Sequence, residues 1–193
     1  MPRPKSHTQE DLTERALKTF WRAGYEATSM DDLVTATGVS RHGIYSAFGG
    51  KRELFLACFP RYRELVVRPA FSAVEEPGAG LAEIAGYFEH QISAAEAQGL
   101  PGPGCFVANS ATEVAPHDAE VLAAVAAHNG RLQRGFAEAL RTAGEPEGEV
   151  EAVAATVVTF ATGLWSLSRV VEDADVLRRS VATFMDMLKG RVR

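Results

Sequence analysis

The stretch TGVSRHGIYSAFGGKREL (residues 37–54) decides how this chain folds. It sets a glycine, Gly38, before a capping residue, Ser40, and a short run in which Ile44 and Phe48 recur at helical spacing. Gly49-Gly50 break that run and Lys51 opens the next. Upstream, Ser29 caps an earlier short run with Asp32 in its first turn. Met30, Leu33 and Val34 form its inner face, and Gly38 ends it. Two short helices joined by a glycine turn make a helix-turn-helix. The second helix of such a pair can lie in the major groove of DNA, with its N-terminal residues at base edges.

That layout points to specific side chains. Ser40, Arg41, His42 and Gly43 form the groove-facing turn. Arg41 can hydrogen-bond guanine O6 and N7, and His42 can donate or accept at a base edge. Tyr45 lies on the outer side with a hydroxyl for phosphate. Lys51 adds charge beside the free N–H groups that start the next helix, and Thr28 and Ser29 offer similar phosphate contacts at the start of the second helix. Arg3 and Lys5 precede the first helix, either as a basic arm for a minor groove or as a solvated terminus.

The charge distribution agrees with a head that meets a polyanion. The 193 residues carry a net charge of −5. Residues 1–52 nevertheless hold eight Lys/Arg against six Asp/Glu, so the acidic excess lies in the remainder. Hydrophobic residues make up 46% and charged residues 23%, which suits a globular chain with a core. No apolar run is expected to reach the ~18 residues of a bilayer span. The first residues, MPRPKSHTQEDL, lack a secretory apolar region, so the expected compartment is cytoplasmic, with no membrane partner.

Two cysteines, Cys58 and Cys105, make no disulfide framework and no CxxC spacing. There is no GxSxG, HExxH or phosphate-loop pattern, so neither metal, cofactor nor enzyme activity is expected. A nucleophile pair of Cys105 with His117 or His128 is the enzyme alternative, and no strand-loop scaffold supports it.

The remaining periodicity is helical. Leu12, Ala16 and Phe20 share a face of the first helix, with Leu17 and Trp21 beside them, caps at Ser6 or Thr8 and a stop at Gly24. A fourth helix runs from Lys51 toward Val67 with Leu54, Phe55, Cys58, Phe59, Tyr62 and Leu65 inward, and Pro60 kinks it. EEPGAG (75–80), GLPGPG (99–104) and GEPEGE (144–149) are loops. Between and after them come helices at about 81–98, 105–115, 118–142, 150–171 and 175–189. The last one carries Val176, Val181, Phe184 and Leu188 inward. The expectation is an all-α chain of about nine helices. Residues 1–55 form a three-helix DNA-binding head, and 56–193 form a ligand-binding and dimerisation bundle.

Phe20, Gly24, Tyr25, Thr28, the segment 29–33, Gly38-Val39-Ser40, Ile44-Tyr45, Phe48 and Lys51-x-x-Leu54 together resemble the signature of TetR-type transcriptional regulators. The match covers roughly the first 55 residues. GCFVANSATEVAPHD (104–118) is also similar to a segment of one subgroup of that family. Ser46-Ala47 and Gly49-Gly50 stand where the family often has aromatic or polar residues, which removes possible phosphate contacts. The resemblance implies a homodimeric repressor that binds a palindromic double-stranded operator and leaves it when a small effector enters the C-terminal body. VEAVAATVVTFATGLWSL (150–167) is apolar on nearly every face and belongs either to the core or to a dimer surface made by the last two helices, about 150–189.

For the effector the candidates are Phe59, Tyr62, Phe88, Cys105, Phe106, Asn109, His128 and Trp165, an apolar set with a few polar groups. Cys105 at a helix N-terminus would have a lowered thiol pKa, which gives a second reading of the same fold as a thiol-based sensor of electrophiles or oxidants. A third reading is a helical ligand-binding protein without DNA binding.

Overall fold

The computed structural model describes residues 8–192, and every regular element among them is helical. Arg3, Lys5 and the alternative cap Ser6 lie outside the described residues. The head is built from α1 (Gln9–Ala23), α2 (Met30–Thr37) and α3 (Arg41–Phe48). Each is started by a side chain. The Thr8 hydroxyl accepts from the Asp11 N–H, Ser29 from Asp32 and Ser40 from Gly43. Such a cap is worth about 1 kcal/mol, a large share of what an eight-residue helix can supply alone. Gly38 has φ +72°, a left-handed turn that suits glycine, and it lets α3 cross α2. Leu12, Ala16, Leu17, Phe20, Leu33 and Ile44 are buried beneath these turns.

The fourth helix is α4 (Lys51–Tyr62), which crosses the expected 55/56 boundary. It runs through Pro60 without ending, then passes through a π-turn at Arg63–Val67 into the short α5 (Arg68–Phe71). The Arg68 N–H bonds back to the Arg63 carbonyl, five residues away. That wider turn rotates the buried face. Leu65, expected inward, is 40% exposed, while Val67, Ala70 and Phe71 are buried.

The body adds α6 (Leu81–Gln98), α7 (Phe106–Glu113), α8 (Ala119–Ala143), α9 (Val150–Leu167) and α10 (Ala174–Lys189). With α4, the π-turn and α5 taken as one rod, the described residues form nine. α8 packs on α9, and α6 packs on α10 and α8. Two aromatic clusters fill the bundle. Phe71, Tyr87 and Phe136 meet edge to face, and Phe88 contacts Trp165, Phe160 and Phe184. Phe160 and Phe184 stack with centroids 3.9 Å apart.

Three expectations need correction. α9 stops at Leu167, not near Val171, because Ser168 turns back and its hydroxyl donates to the Trp165 carbonyl. α10 buries Leu177 and Met185, whereas Val176 and Phe184 are half-buried. Val181 and Leu188 are buried as expected, and Phe184 packs on Phe160, so the spacing found the inner face but missed Leu177 and Met185. Finally, Val150–Leu167 is 18 residues long with mean hydropathy 1.5, so by length and composition it could cross a bilayer. Here it is a bundle helix with Val153, Ala154, Val157, Ala161 and Leu164 packed inward. The hydroxyls of its outward Thr156, Thr159 and Thr162 donate to carbonyls four residues earlier.

Candidate nucleic-acid interface and interior cavities

α3 is held by Ile44, which is 0% exposed, with half-buried Phe48 beside it. The opposite face is free. Ser40, Arg41 and His42 are exposed, and Tyr45 is 49% exposed. Arg41 bonds the Asp31 carboxylate at 2.8 Å, with both side chains mostly in solvent. An exposed pair of this kind contributes at most about 1 kcal/mol, so Arg41 can exchange it for a base or a phosphate. Gly43 serves packing. A Cβ there would stand 2.7 Å from Val39 Cγ1, so only a bare α-carbon lets the turn close this tightly.

The expected phosphate contacts divide. Lys51 sits at the start of α4 with Nζ 4.3 Å from the centroid of the Tyr25 ring, a cation–π contact that steers the amine. Ser29 is exposed, yet its hydroxyl both donates to the Asp32 carboxylate and accepts from the Asp32 N–H. Those bonds from Ser29 hold the Asp32 carboxyl below its usual range. A phosphate at this helix start would therefore meet a carboxylate. Thr28 departs from expectation altogether. It is 1% exposed and its hydroxyl donates to the Gly24 carbonyl at 2.6 Å, so it closes the α1–α2 loop and offers nothing outward.

Three polar contacts tie this head to the segment 104–120. The Glu113 carboxylate at the end of α7 accepts the Tyr25 and Glu26 N–H groups at 3.0 and 2.9 Å. Arg52 donates to Asp118 at 2.6 and 3.0 Å and to Glu120 at 3.0 Å. Arg52 and the Val121 N–H pull the Asp118 carboxyl down to about 2. Trp21 Nε1 donates to the Gly104 carbonyl at 2.9 Å. Between them the Phe55 ring touches Phe20, Tyr25, Phe59 and Phe106, with centroids 4.8–5.6 Å away.

Inside the body, two cavities of about 50 and 40 Å³ share Tyr62, Gln91, Cys105 and Trp165 as walls. His128 lines the second. Four of the eight expected effector residues thus converge. The other four do not line these cavities. Phe88 and Phe106 are buried in aromatic packing. Asn109 donates to the Pro103 carbonyl at 2.8 Å and braces the Pro-Gly loop. Phe59 faces a different cleft, between α4 and α8.

The cavity groups are mostly neutral. Burial pushes the Cys105 thiol up from its ordinary value. The Tyr62 hydroxyl, 3.5 Å from the sulfur, and the N–H groups of Val107 and Ala108 oppose that shift without reversing it. The lowered thiol pKa expected from the helix N-terminus is therefore corrected, since loss of solvent outweighs the helix end. Cys58 is fully buried and is shifted up for the same reason. Burial, helped by the nearby Arg131 charge, pushes His128 down to about 4.

Residues 12–58 match the bacterial regulatory proteins of the tetR family. Residues 80–184, more than half of the chain, match the tetracyclin repressor-like C-terminal domain. The chain belongs to the TetR family. It is a DNA-binding transcriptional regulator of that class. It is 29% identical over 198 residues to the uncharacterized HTH-type transcriptional regulator YezE of Bacillus subtilis (strain 168), covering 97% of this chain and 100% of YezE. It is 35% identical over 121 residues to the HTH-type transcriptional repressor ComR of Escherichia coli (strain K12), covering 62% of this chain and 57% of ComR. Its fold matches that of the TetR regulator CifR, solved as a cysteine mutant on a 26-bp operator, with a TM-score of 0.77 and 22% identity over 95% of this chain and 98% of CifR.

In this TetR chain, sequence reasoning missed Trp21, Tyr87 and Gln91 as cavity walls. Gln91 had a readable signal, being a polar residue between Phe88 and Ile92 on an otherwise apolar α6 face. Trp21 had none, because its contact with Gly104 joins residues 83 apart. Trp165 is 7% exposed, and its indole N–H has no hydrogen bond of good geometry. Tyr87 lies beside it, with ring centroids 6.5 Å apart.

Proposed function

We propose that this TetR-family regulator is a homodimeric repressor that reads a palindromic operator and releases it when a small molecule enters the body. The observation that carries the reading is the exposed N-terminal turn of α3, with Ser40, Arg41, His42 and Tyr45 outward over the buried Ile44 anchor. ComR is named a repressor, and CifR is described with operator DNA. Base reading falls to Arg41 and His42, and phosphate contact to Ser40, Tyr45, Lys51 and, more weakly, Ser29. Residues 1–55 are the DNA-binding unit and 56–193 the effector and dimer unit, with α4 shared between them.

One recognition helix touches few bases, and a two-fold pair doubles them one helical turn apart. The dimer surface is the outward side of α9 and α10. Small residues there, including Thr156, Thr159 and Gly163, permit close approach, and Met187 is 66% exposed. An effector would act on α4, whose Lys51 end carries the head and whose Arg52 is tied to Asp118. It must bind the DNA-incompetent form more tightly to shift the population. The interior cavities are far below the ~300 Å³ of an ordinary ligand site, so the effector-bound state is the more open one.

The test is a gel shift with the DNA flanking this protein's own coding region, over a range of salt. A specific, salt-dependent shift supports the reading, because phosphate contacts release counterions. A protein that binds no DNA at low salt, including a library of random duplexes, would overturn it and favour a helical binding protein without DNA recognition.

A further inference from the structure

A cleft of about 400 Å³ opens between α4 and α8. Val107 and His128 form a wall shared with the inner cavity that Tyr62 and Trp165 line. Its apolar lining is the buried Phe59 from α4, with the half-buried Ala124 and the exposed Ala127 from α8. Its rim carries three guanidinium groups, Arg63 from the end of α4 and Arg131 and Arg134 from α8. On α8 the lining recurs at 124, 127, 128, 131 and 134, which is one face of the helix.

The rim is neutralised only in part. Arg131 is held by Glu75, with N–O distances of 2.6 and 2.7 Å. Glu64, next to Arg63 in the chain, pairs with Arg68 at 3.3 Å. Arg63 and Arg134 have no carboxylate partner among the described residues, although the whole chain carries 25 acids against 20 Lys/Arg. Two neighbouring hollows differ in this respect. One of about 440 Å³ also touches Arg131 and Arg134 but brings in Glu75, Glu76 and Glu138. One of about 290 Å³ has Glu10 and Glu64 on its walls. At about 400 Å³ the α4/α8 cleft lies within the ~300–1,000 Å³ of small-molecule sites, with an apolar body and a few convergent polar groups.

We propose that this cleft binds an amphipathic monoanion, a carboxylate or sulfonate on an apolar body, with its charged end at Arg63 and Arg134 and its body on Phe59, Ala124 and Ala127. A guanidinium offers a carboxylate two parallel N–H donors, which a neutral analogue cannot use. Because Phe59 and Arg63 belong to the α4 rod, an occupant touches the helix that carries the head. That consequence rests on the effector reading above, whereas the binding site itself does not.

The experiment needs no DNA. The full-length protein is titrated with 8-anilinonaphthalene-1-sulfonate, followed by its fluorescence, and the bound probe is competed with octanoate or with octanol. One saturable site is expected, displaced by octanoate and at least tenfold less well by octanol. Arg63→Ala/Arg134→Ala should weaken probe binding tenfold or more. Ala127→Trp, which puts a large ring at the mouth of the cleft and keeps both arginines, should abolish it, with circular dichroism showing the fold retained in each variant. The proposal is overturned if the wild type shows no saturable site, if octanol competes as well as octanoate, or if either folded variant binds the probe like the wild type. A gel-shift failure with the cleft still occupied would count against the repressor reading and leave the site standing.

Discussion

The head and the body are both helical, yet they hold together by different means. In the head, two helices of eight residues and one of fifteen each start at a side-chain cap, and Gly38 sets the turn between the short pair. Those signals act over three or four residues. In the body α8 and α10 are also capped, by Asp118 and Asp173, but α7 and α9 begin without a side-chain cap bond, and aromatic contacts across helices join residues dozens of positions apart. The head can therefore leave a polar helix face bare, since its stability does not depend on covering it. The body gains its stability from closing its interior, and its cavities are what the closing leaves over.

The contrast can be broken most sharply at the junction. Phe55→Ala removes a ring packed against four others from both units, and a loss of about 3–5 kcal/mol is expected for a large core truncation of this kind. Chemical denaturation would then lower the midpoint for head and body together. Two separated transitions, with the body unaffected, would mean that the units are not coupled through this ring.

On the head surface, Arg41→Ala should leave stability nearly unchanged and weaken specific DNA binding by about 1–3 kcal/mol. Lys51→Ala should weaken binding to all sequences alike. Equal losses on specific and random duplexes for Arg41→Ala would remove it from base reading. Gly38→Ala sharpens the claim that local turns hold the head. An L-residue at φ +72° costs about 1–2 kcal/mol, and thermal melting should show that loss.

The smallest expected effect belongs to the body. His128 has a folded pKa of about 4, below its unfolded value of about 6.5, because burial and Arg131 disfavour its charged form. The unfolded chain thus takes up the proton first. The stability linked to His128 is complete above pH 6.5 and is lost as pH falls from there toward 4, with roughly 1 kcal/mol expected between pH 7 and 5.5. Asp118, with its pKa near 2, contributes above its unfolded value and is lost only at lower pH, so the two windows separate. His128→Gln should flatten the melting temperature between pH 7 and about 5.5, and an unchanged slope would place the titration elsewhere.

The head was legible almost residue by residue. Caps at Thr8, Ser29 and Ser40, turns at Gly24, Gly38 and Gly49, and the anchor Ile44 all stand where the sequence places them. Thr28 was misread because a hydroxyl before a helix looks the same whether it points out or back to Gly24. In the body the helices were legible, but the buried set was misjudged wherever it depended on something besides spacing. A π-turn between Pro60 and Pro69 moved Leu65 outward, and α10 chose Leu177 over Val176. Phe88, Phe106 and Asn109 share the chemistry of cavity walls, and only the packing of neighbours made them core and brace.

The amino-acid sequence by itself determined the all-helical class, the helix-turn-helix and the exposed Ser40–Tyr45 face, because caps, glycine turns and apolar spacing act within one or two helical turns. The tertiary structure alone decided that Tyr62, Gln91, Cys105 and Trp165 share a cavity, that Glu113 and Asp118 clasp the head, and that Arg63 and Arg134 rim one cleft. Those meetings join residues from different helices. Which of them face one another depends on how the helices pack, and no local pattern records that.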